Sequence, residues 1–215
     1  METASFSLLE LFKLGGVVMW PLLAFSIAAV AITIERAVFF FNNNLDVDDL
    51  SLTVSDYVNK KDFSGAVEYL KPLTEKRMGA RVLLTLVDQK KGHAFTEQRA
   101  ERIVQTEAIK CINSLENGFN FLTALGSLSP LTGFLGTVTG MIGAFRSIAE
   151  ATEVNAQIVA NGIYEALITT VFGLVIAIIA MISHSIFSHI VEKFAAKIEG
   201  ACTNLITQMS ETQHK

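Results

Sequence analysis

Hydrophobic and polar positions divide this chain of 215 residues into three long apolar stretches and one long polar segment. The apolar stretches are 15–39, 119–145 and 166–187, and each is long enough for a membrane-spanning helix, which needs about 20 residues. The second stretch contains no Asp, Glu, Lys or Arg, and the third lies in a region without them between Glu165 and Glu192. The pattern predicts three membrane-spanning helices.

The polar segment, 42–118, shows helical periodicity and no strand signal. Asp62 is placed to cap a short helix that ends before Pro72, and Thr74 to begin the next helix. An apolar stripe at intervals of three and four then runs from Val104 into the second apolar stretch without a turn signal. We therefore expect an all-α, polytopic membrane protein in which the second and third spanning helices are prolonged into a cytoplasmic helical bundle.

The orientation follows from the basic residues. Eleven of the seventeen Lys and Arg residues lie in 42–118, whereas the connection 147–161 has none, so the positive-inside rule places 42–118 in the cytoplasm. Glu35 and Arg36 are expected to anchor the first span at the interface, with their charged ends in water. The predicted segments are a short outer N-terminus with the first span (1–41), a cytoplasmic helical region (42–118), the second span (119–147), an outer loop (148–161), the third span (162–189) and a cytoplasmic helical tail (190–215).

Composition and missing motifs exclude several classes of function. Hydrophobic residues make up 51% of the chain and charged residues only 18%, which is typical of a membrane protein, and a net charge of −4 gives no reason to expect a nucleic-acid partner. Cys111 and Cys202 are far apart, so we expect buried thiols and neither a metal nor a cofactor. The sequence contains no P-loop, no metal-ligand cluster and no nucleophile beside a base, so we do not expect an enzyme.

The second apolar stretch carries a stripe of small residues. They recur at intervals of three and four: Gly126, Ser129, Gly133, Gly136, Gly140, Gly143 and Ser147. On a helix these positions share one face, along which the backbone of another helix can approach closely. Gly173 belongs to a small-residue face of the third stretch. We expect these glycines to pack helices together.

Three polar residues and one proline in or beside the spans are candidates for function. Thr137 either bonds back to a carbonyl one turn earlier or faces an ion path, and Thr170 either packs helix on helix or offers that path a second hydroxyl. Glu165 is either an interfacial carboxylate favoured by the helix dipole or a site that faces water or a partner, because an acid at membrane depth is costly. Pro130 could simply kink its helix.

Two motifs in the second and third stretches resemble the MotA/TolQ/ExbB proton channel family. They are GFLGTVTGMIGAF at 133–145 and GIYEALITTVFGL at 162–174, and the first stretch is similar in GGVVMWPLLAFSIAAVAITIERAVFF at 15–40. A short ExbB- or TolQ-type subunit fits best. The roles that the resemblance implies are lining of the ion pathway for Thr137, Glu165 and Thr170, and shaping of the pore helix for Pro130.

The resemblance also implies a function and partners. The chain would be the ion-channel (stator) subunit of a bacterial inner-membrane motor that uses the proton motive force for work at the cell envelope, either TonB-dependent uptake or a Tol-type process. Its partners would be further copies of itself in a pentamer, an ExbD- or TolR-like single-span protein carrying the ion-binding aspartate, a TonB- or TolA-like protein, and the lipid bilayer. The alternatives are a non-conducting oligomeric scaffold, a channel that needs no partner, and a sodium-driven member of the family.

Overall fold

The computed structural model describes residues 8–91, 96–150 and 156–214, and within these ranges the chain forms only helices, turns and short connections. The helices are α1 (Leu8–Leu14), α2 (Met19–Asn42), α3 (Asp48–Asn59), α4 (Phe63–Leu70), α5 (Met78–Lys91), α6 (Glu97–Leu115), α7 (Phe119–Glu150) and α8 (Ala156–His214). Helices α2, α7 and α8 are long and apolar enough to cross a membrane. The predicted all-α class with three spanning helices is confirmed.

The chain divides into two compact units. The apolar unit comprises Met1–Glu35 and Gly118–Ser185, and the polar unit comprises Arg36–Asn117 and Ile186–Lys215. Helices α2 and α8 therefore contribute residues to both units. Each unit buries its own set of side chains, and the two sets differ in kind.

The apolar unit has small side chains inside and large apolar side chains outside. Ser129 and Ala180 are fully buried, whereas Trp20, Ile27 and Phe134 are each more than 60% exposed. Exposed apolar surface costs about 25 cal/mol per Å² in water, a cost that is absent beside lipid tails. This arrangement is the one that spanning helices require.

The three long helices of the apolar unit alternate in direction. A Cβ added to Gly126 in α7 would lie 2.9 Å from the Met181 side chain of α8, and one added to Gly140 would lie 3.2 Å from Ala166. Helix α7 therefore runs antiparallel to α8. It also runs antiparallel to α2: Gly118 at the start of α7 contacts Ile32 in the second half of α2, whereas Gly15, just before α2, contacts Ile168 of α8, close to the Ala166 that meets Gly140 in the second half of α7.

The polar unit has a core of the kind found in soluble helical bundles. Leu50, Val54 and Leu70 are fully buried, as is Phe194 of α8, in keeping with the predicted amphipathic continuation of that helix. Asp62 caps α4 as expected: its side chain accepts a hydrogen bond from the Gly65 amide at 2.9 Å. Charged groups lie mainly at the surface of this unit.

The segment before α5 differs from its prediction. We expected the helix to begin at Thr74, but the chain first makes a 3-10 turn at Lys71–Leu73 and α5 begins at Met78. Pro72 lies in the 3-10 turn, and the side chain of Arg77, the residue before α5, binds the Asp49 carboxylate at 2.5 and 2.8 Å. This ion pair links the residue before α5 to α3.

The expected continuous helix from the polar segment into the second span is interrupted. Helix α6 ends at Leu115 and α7 begins at Phe119. Gly118 has a φ of +85°, in the left-handed region that a helix does not use and that glycine adopts without strain. The apolar periodicity is real on both sides of the break, but it belongs to two helices.

Arg36 also differs from its prediction. Instead of extending to water, its side chain is only 5% exposed and donates hydrogen bonds to the carbonyls of Ser114 (3.2 Å) and Leu115 (3.5 Å). These carbonyls belong to the last turn of α6, whose own helix offers them no donor, and a cation at a helix C-terminus is favourable. Arg36 therefore caps α6 within the polar unit.

Candidate functional site

Helices α7 and α8 touch backbone to backbone. A Cβ added to Gly133 would lie 2.7 Å from the Thr169 carbonyl oxygen and 3.1 Å from the Thr170 Cα, and one added to Gly173 would lie 3.2 Å from the Gly133 Cα. Nothing larger than hydrogen fits at either glycine. The small-residue faces thus bring the main chains of the two helices close enough for side-chain hydroxyls of one to reach carbonyls of the other.

Three threonine hydroxyls converge at this contact. The Thr137 and Thr170 hydroxyls are hydrogen-bonded to each other. The Gly133 carbonyl oxygen lies 3.2 to 3.3 Å from the hydroxyls of Thr137, Thr169 and Thr170, and the Ala166 carbonyl oxygen lies 3.1 Å from the Thr137 hydroxyl and 2.8 Å from that of Thr169. We call these three side chains the threonine cluster.

The threonine cluster has more acceptors than protons. Each hydroxyl carries one proton and can donate to only one acceptor at a time, while its oxygen can accept in turn. Thr169 is buried, at 1% exposure, whereas Thr137 and Thr170 are half-buried and border the open side of the contact. The cluster can therefore exchange hydrogen bonds internally and offer hydroxyl oxygens to water or a cation.

Glu165 lies apart from the hydroxyls along α8. It precedes Thr170 by five residues, which is about 7.5 Å of helix rise. Its carboxyl group is half-buried and lies against Gly16, in the turn between α1 and α2. Pro130 lies within α7, which continues through it from Phe119 to Glu150. The structure thus joins Thr137 and Thr170 directly and places Glu165 next to the start of the first long helix.

Comparison with known proteins assigns the chain to a family. A sequence model of the MotA/TolQ/ExbB proton channel family matches residues 74–200, a range that includes the threonine cluster and Glu165. The chain belongs to that family. Membership and the three spanning helices together make it a membrane protein.

Relatives in the MotA/TolQ/ExbB family match most of the chain. Putative biopolymer transport protein ExbB-like 3 of Synechocystis sp. is 36% identical over 181 residues, which cover 80% of this chain and 81% of the relative. Tol-Pal system protein TolQ of Haemophilus influenzae is 29% identical over 197 residues, covering 85% of each chain. Biopolymer transport protein ExbB of Salmonella typhimurium is 25% identical over 199 residues, covering 90% of this chain and 80% of the relative.

One glycine of the predicted stripe does not take part in the contact between α7 and α8. A Cβ added to Gly143 would meet no atom within 4 Å, whereas its neighbour Ala144 is buried and contacts Gly162. Gly133, Gly136 and Gly140 do lie in the contact. In this MotA/TolQ/ExbB chain, the small-residue stripe therefore contacts α8 over only part of its length.

Two glycines make close contacts that the sequence analysis did not predict. Gly162 approaches α7 so closely that a Cβ would lie 3.2 Å from the Ala144 Cα. It lies eleven residues, about three turns, before Gly173, so the helical period could have placed both on one face. Gly16 is the other: its contact with Glu165 joins segments far apart in sequence, and no local pattern indicates it.

Proposed function

We propose that this chain forms the ring of an ion-channel complex in the bacterial inner membrane and that the complex uses the proton motive force to drive work at the cell envelope. The observation that carries the proposal is the threonine cluster, in which Thr137 and Thr170 share a hydrogen bond at the border of the contact between α7 and α8. Hydroxyls that both accept and donate suit a path for protons through water. Family membership supports the same reading.

A second subunit supplies the titratable group in this proposal. An ion that crosses a bilayer needs a group that can bind it near the midplane, and this chain has no Asp, Glu, Lys or Arg from Asn117 to Phe145 or from Ala166 to Val191. The histidines of the second range, His184 and His189, lie toward the end of the third span and away from its middle. The partner is a single-span protein of the ExbD or TolR type with an aspartate in its helix. Five copies of this chain surround two such helices, and exposed side chains such as Phe134 contact neighbours or lipid.

The mechanism couples protonation to movement. When the partner's aspartate binds a proton it loses its charge, and it can then shift along the ring, where Thr137 and Thr170 provide hydrogen bonds at each subunit. Release of the proton on the other side restores the charge and completes the step. In this proposal 42–118 and the C-terminus lie in the cytoplasm, an orientation that the distribution of basic residues supports. The driven process is nutrient uptake through a TonB-like protein or envelope maintenance through a TolA-like protein; the chain acts as a transport subunit, not an enzyme.

The first experiment is purification of the tagged chain from its native membrane, followed by mass spectrometry and determination of the mass of the complex. Recovery of a small single-span protein with an aspartate in its helix supports the proposal and identifies the ion carrier. A homo-oligomer that repeatedly lacks such a partner contradicts it and favours the non-conducting scaffold. Ion flux through the chain alone in liposomes would instead favour a channel that needs no partner.

A second experiment tests the threonine cluster in the assembled complex. Thr137→Leu combined with Thr170→Leu should abolish proton flux while the complex still assembles. Thr139→Leu is the matched control, because Thr139 is exposed and its hydroxyl bonds only to carbonyls of its own helix, Leu135 at 3.0 Å and Gly136 at 3.1 Å. Full flux in the double variant would refute the role of the cluster.

A sodium-driven complex is the second candidate. The carbonyl oxygens of Gly133 and Ala166 lie beside the threonine hydroxyls, and rings of such oxygens can replace the hydration shell of a metal cation. Flux measured in liposomes under a sodium gradient and under a proton gradient separates the two candidates. Flux that persists without sodium supports the proton, and flux that requires sodium supports the alternative.

A further inference from the structure

The turn between α1 and α2 is packed against the acid of α8. Gly16 in this turn has a φ of +67°, and a carboxylate oxygen of Glu165 fills the space that a Cβ at this position would need. The same Cβ would lie 3.1 Å from the carboxyl carbon of Glu165. The carboxylate therefore lies directly against the main chain of the turn, and a Cβ at position 16 would displace it.

The neighbouring glycine shows that the whole turn lies against this face of α8. A Cβ added to Gly15 would clash with the side chain of Met19 and lie 3.4 Å from Cγ2 of Ile168. Ile168 follows Glu165 by three residues, so both project from one side of α8. Met19 and Ile168 are both buried, so the turn is packed against this side of α8.

We infer that Gly16 is a positioning residue for the Glu165 carboxylate, and that the turn between α1 and α2 thereby sets where this acid lies beside α8. The inference rests on the proposed function, in which Glu165 lines the ion pathway with Thr137 and Thr170. In this arrangement the first long helix does more than anchor the chain in the membrane. The turn before α2 sets how far the Glu165 carboxylate extends from α8.

Backbone conformation alone offers a competing explanation for Gly16. A residue with a Cβ is strained at a positive φ whatever surrounds it. Gly118 provides a matched control for that effect, because it has a φ of +85° in the same unit but contacts Ile32 and not Glu165. Shortening the acid at position 165 should restore function that is lost by a substitution at Gly16. It should not restore function that is lost by a substitution at Gly118.

The experiment compares Gly16→Ala, Glu165→Asp and their combination in the complex with its single-span partner, reconstituted in liposomes. Gly16→Ala should lower ion flux per assembled complex at least fivefold, because the added methyl displaces the carboxylate. Glu165→Asp withdraws the carboxylate by one bond, about 1.5 Å, so the combined variant should recover at least half of the flux lost in Gly16→Ala. Glu165→Asp added to Gly118→Ala should bring no recovery.

Three results would overturn the inference. They are normal flux in Gly16→Ala, a combined variant no better than Gly16→Ala, and equal recovery in the Gly118 background. If Gly16→Ala fails to assemble, the comparison moves to Gly16→Ala with Glu165→Ala: regained assembly supports a clash with the acid, and continued failure shows that the backbone conformation is the cause.

The inference and the proposed function can fail separately. If the wild-type complex conducts no ions, the proposed function fails and the assignment of Glu165 to an ion pathway fails with it. The contact itself is then judged by thermal unfolding of the same variants. Recovery of the melting temperature of Gly16→Ala by Glu165→Asp, without recovery in Gly118→Ala, supports the contact, and equal behaviour of the two backgrounds refutes it.

Discussion

Replacement of Gly133 by alanine tests the central contact between α7 and α8. The added Cβ would lie 2.7 Å from the Thr169 carbonyl oxygen, whereas ordinary contacts begin near 3.4 Å. The obstructing atom belongs to a backbone and cannot rotate away, so the helices must separate locally by the difference, about 0.7 Å on ordinary packing distances. A shift of that size would carry the 3.1 Å hydrogen bond from Thr137 to the Ala166 carbonyl beyond the distance at which it counts as a bond.

The expected loss of stability combines two effects. Overpacking of a filled contact costs about 1–3 kcal/mol, and each hydrogen bond between membrane helices contributes about 0.6 kcal/mol, so the loss of the bonds from Thr137 and Thr169 brings the total to about 2–4 kcal/mol. The measurement is reversible unfolding in mixed micelles, at a dilution that leaves one chain per micelle, followed by circular dichroism.

Gly143→Ala is the control for this prediction. It makes the same change in the same helix, but a Cβ at Gly143 meets no atom within 4 Å. We expect its stability to remain within about 0.5 kcal/mol of the wild type, as for substitutions that touch nothing. Equal losses for Gly133→Ala and Gly143→Ala would refute the reasoning, because the effect would then follow from helix composition and not from the contact.

Three further predictions concern the polar unit and are measured by unfolding in detergent. Arg36→Met leaves the carbonyls at the end of α6 without their charged donor and should cost about 1.5–3 kcal/mol; an unchanged stability would contradict the capping role. Arg77 lowers the pKa of Asp49 from its ordinary value of 3.8 through a hydrogen bond, so the stabilisation is complete above that value and is lost as the pH falls through the lowered one. Because Asp49 is 56% exposed, Asp49→Asn should cost only about 0.5–1 kcal/mol at pH 7 and nothing in strong acid, and a loss that is independent of pH would contradict the ion pair. Asp62→Ala removes the cap on the Gly65 amide and should cost about 1 kcal/mol, whereas Asp62→Asn should retain most of the stability, and equal losses would show that the cap is unimportant.

Periodic features of the fold could be predicted from the sequence. Long uncharged stretches identified the spanning helices, because the bilayer demands length and apolarity regardless of how the helices pack. The positions of Gly133 and Gly140 in the contact followed the helical period. The cap at Asp62 could also be predicted, since it needs only the residues of its own turn.

Features set by tertiary placement could not be predicted in the same way. Arg36 at the end of an apolar stretch has the sequence appearance of an interfacial anchor, and only the position of the last turn of α6 makes it a cap. The break at Gly118 is an exception, because the pair Asn117-Gly118 is a local turn signal and a glycine is common just after a helix, so its φ of +85° could have been predicted. Gly16 and Glu165 are separated by most of the chain, and their contact depends on how α2 packs against α8.

The position of Gly143 outside the contact between α7 and α8 follows from helix geometry. Small residues at alternating intervals of three and four repeat every 3.5 residues on average, whereas a straight helix turns once in about 3.6, so the stripe drifts by about 20° per heptad. Ala144 lies 18 residues after Gly126, about five whole turns, and so returns to the face that packs on α8. Gly143 lies 17 residues after Gly126 and so about 100° around α7 from it; Ala144 is buried against Gly162, while Gly143 lies open. Gly136, about 80° from Gly126, still contacts Thr169, so Gly143 lies just beyond the edge of the face that α8 covers.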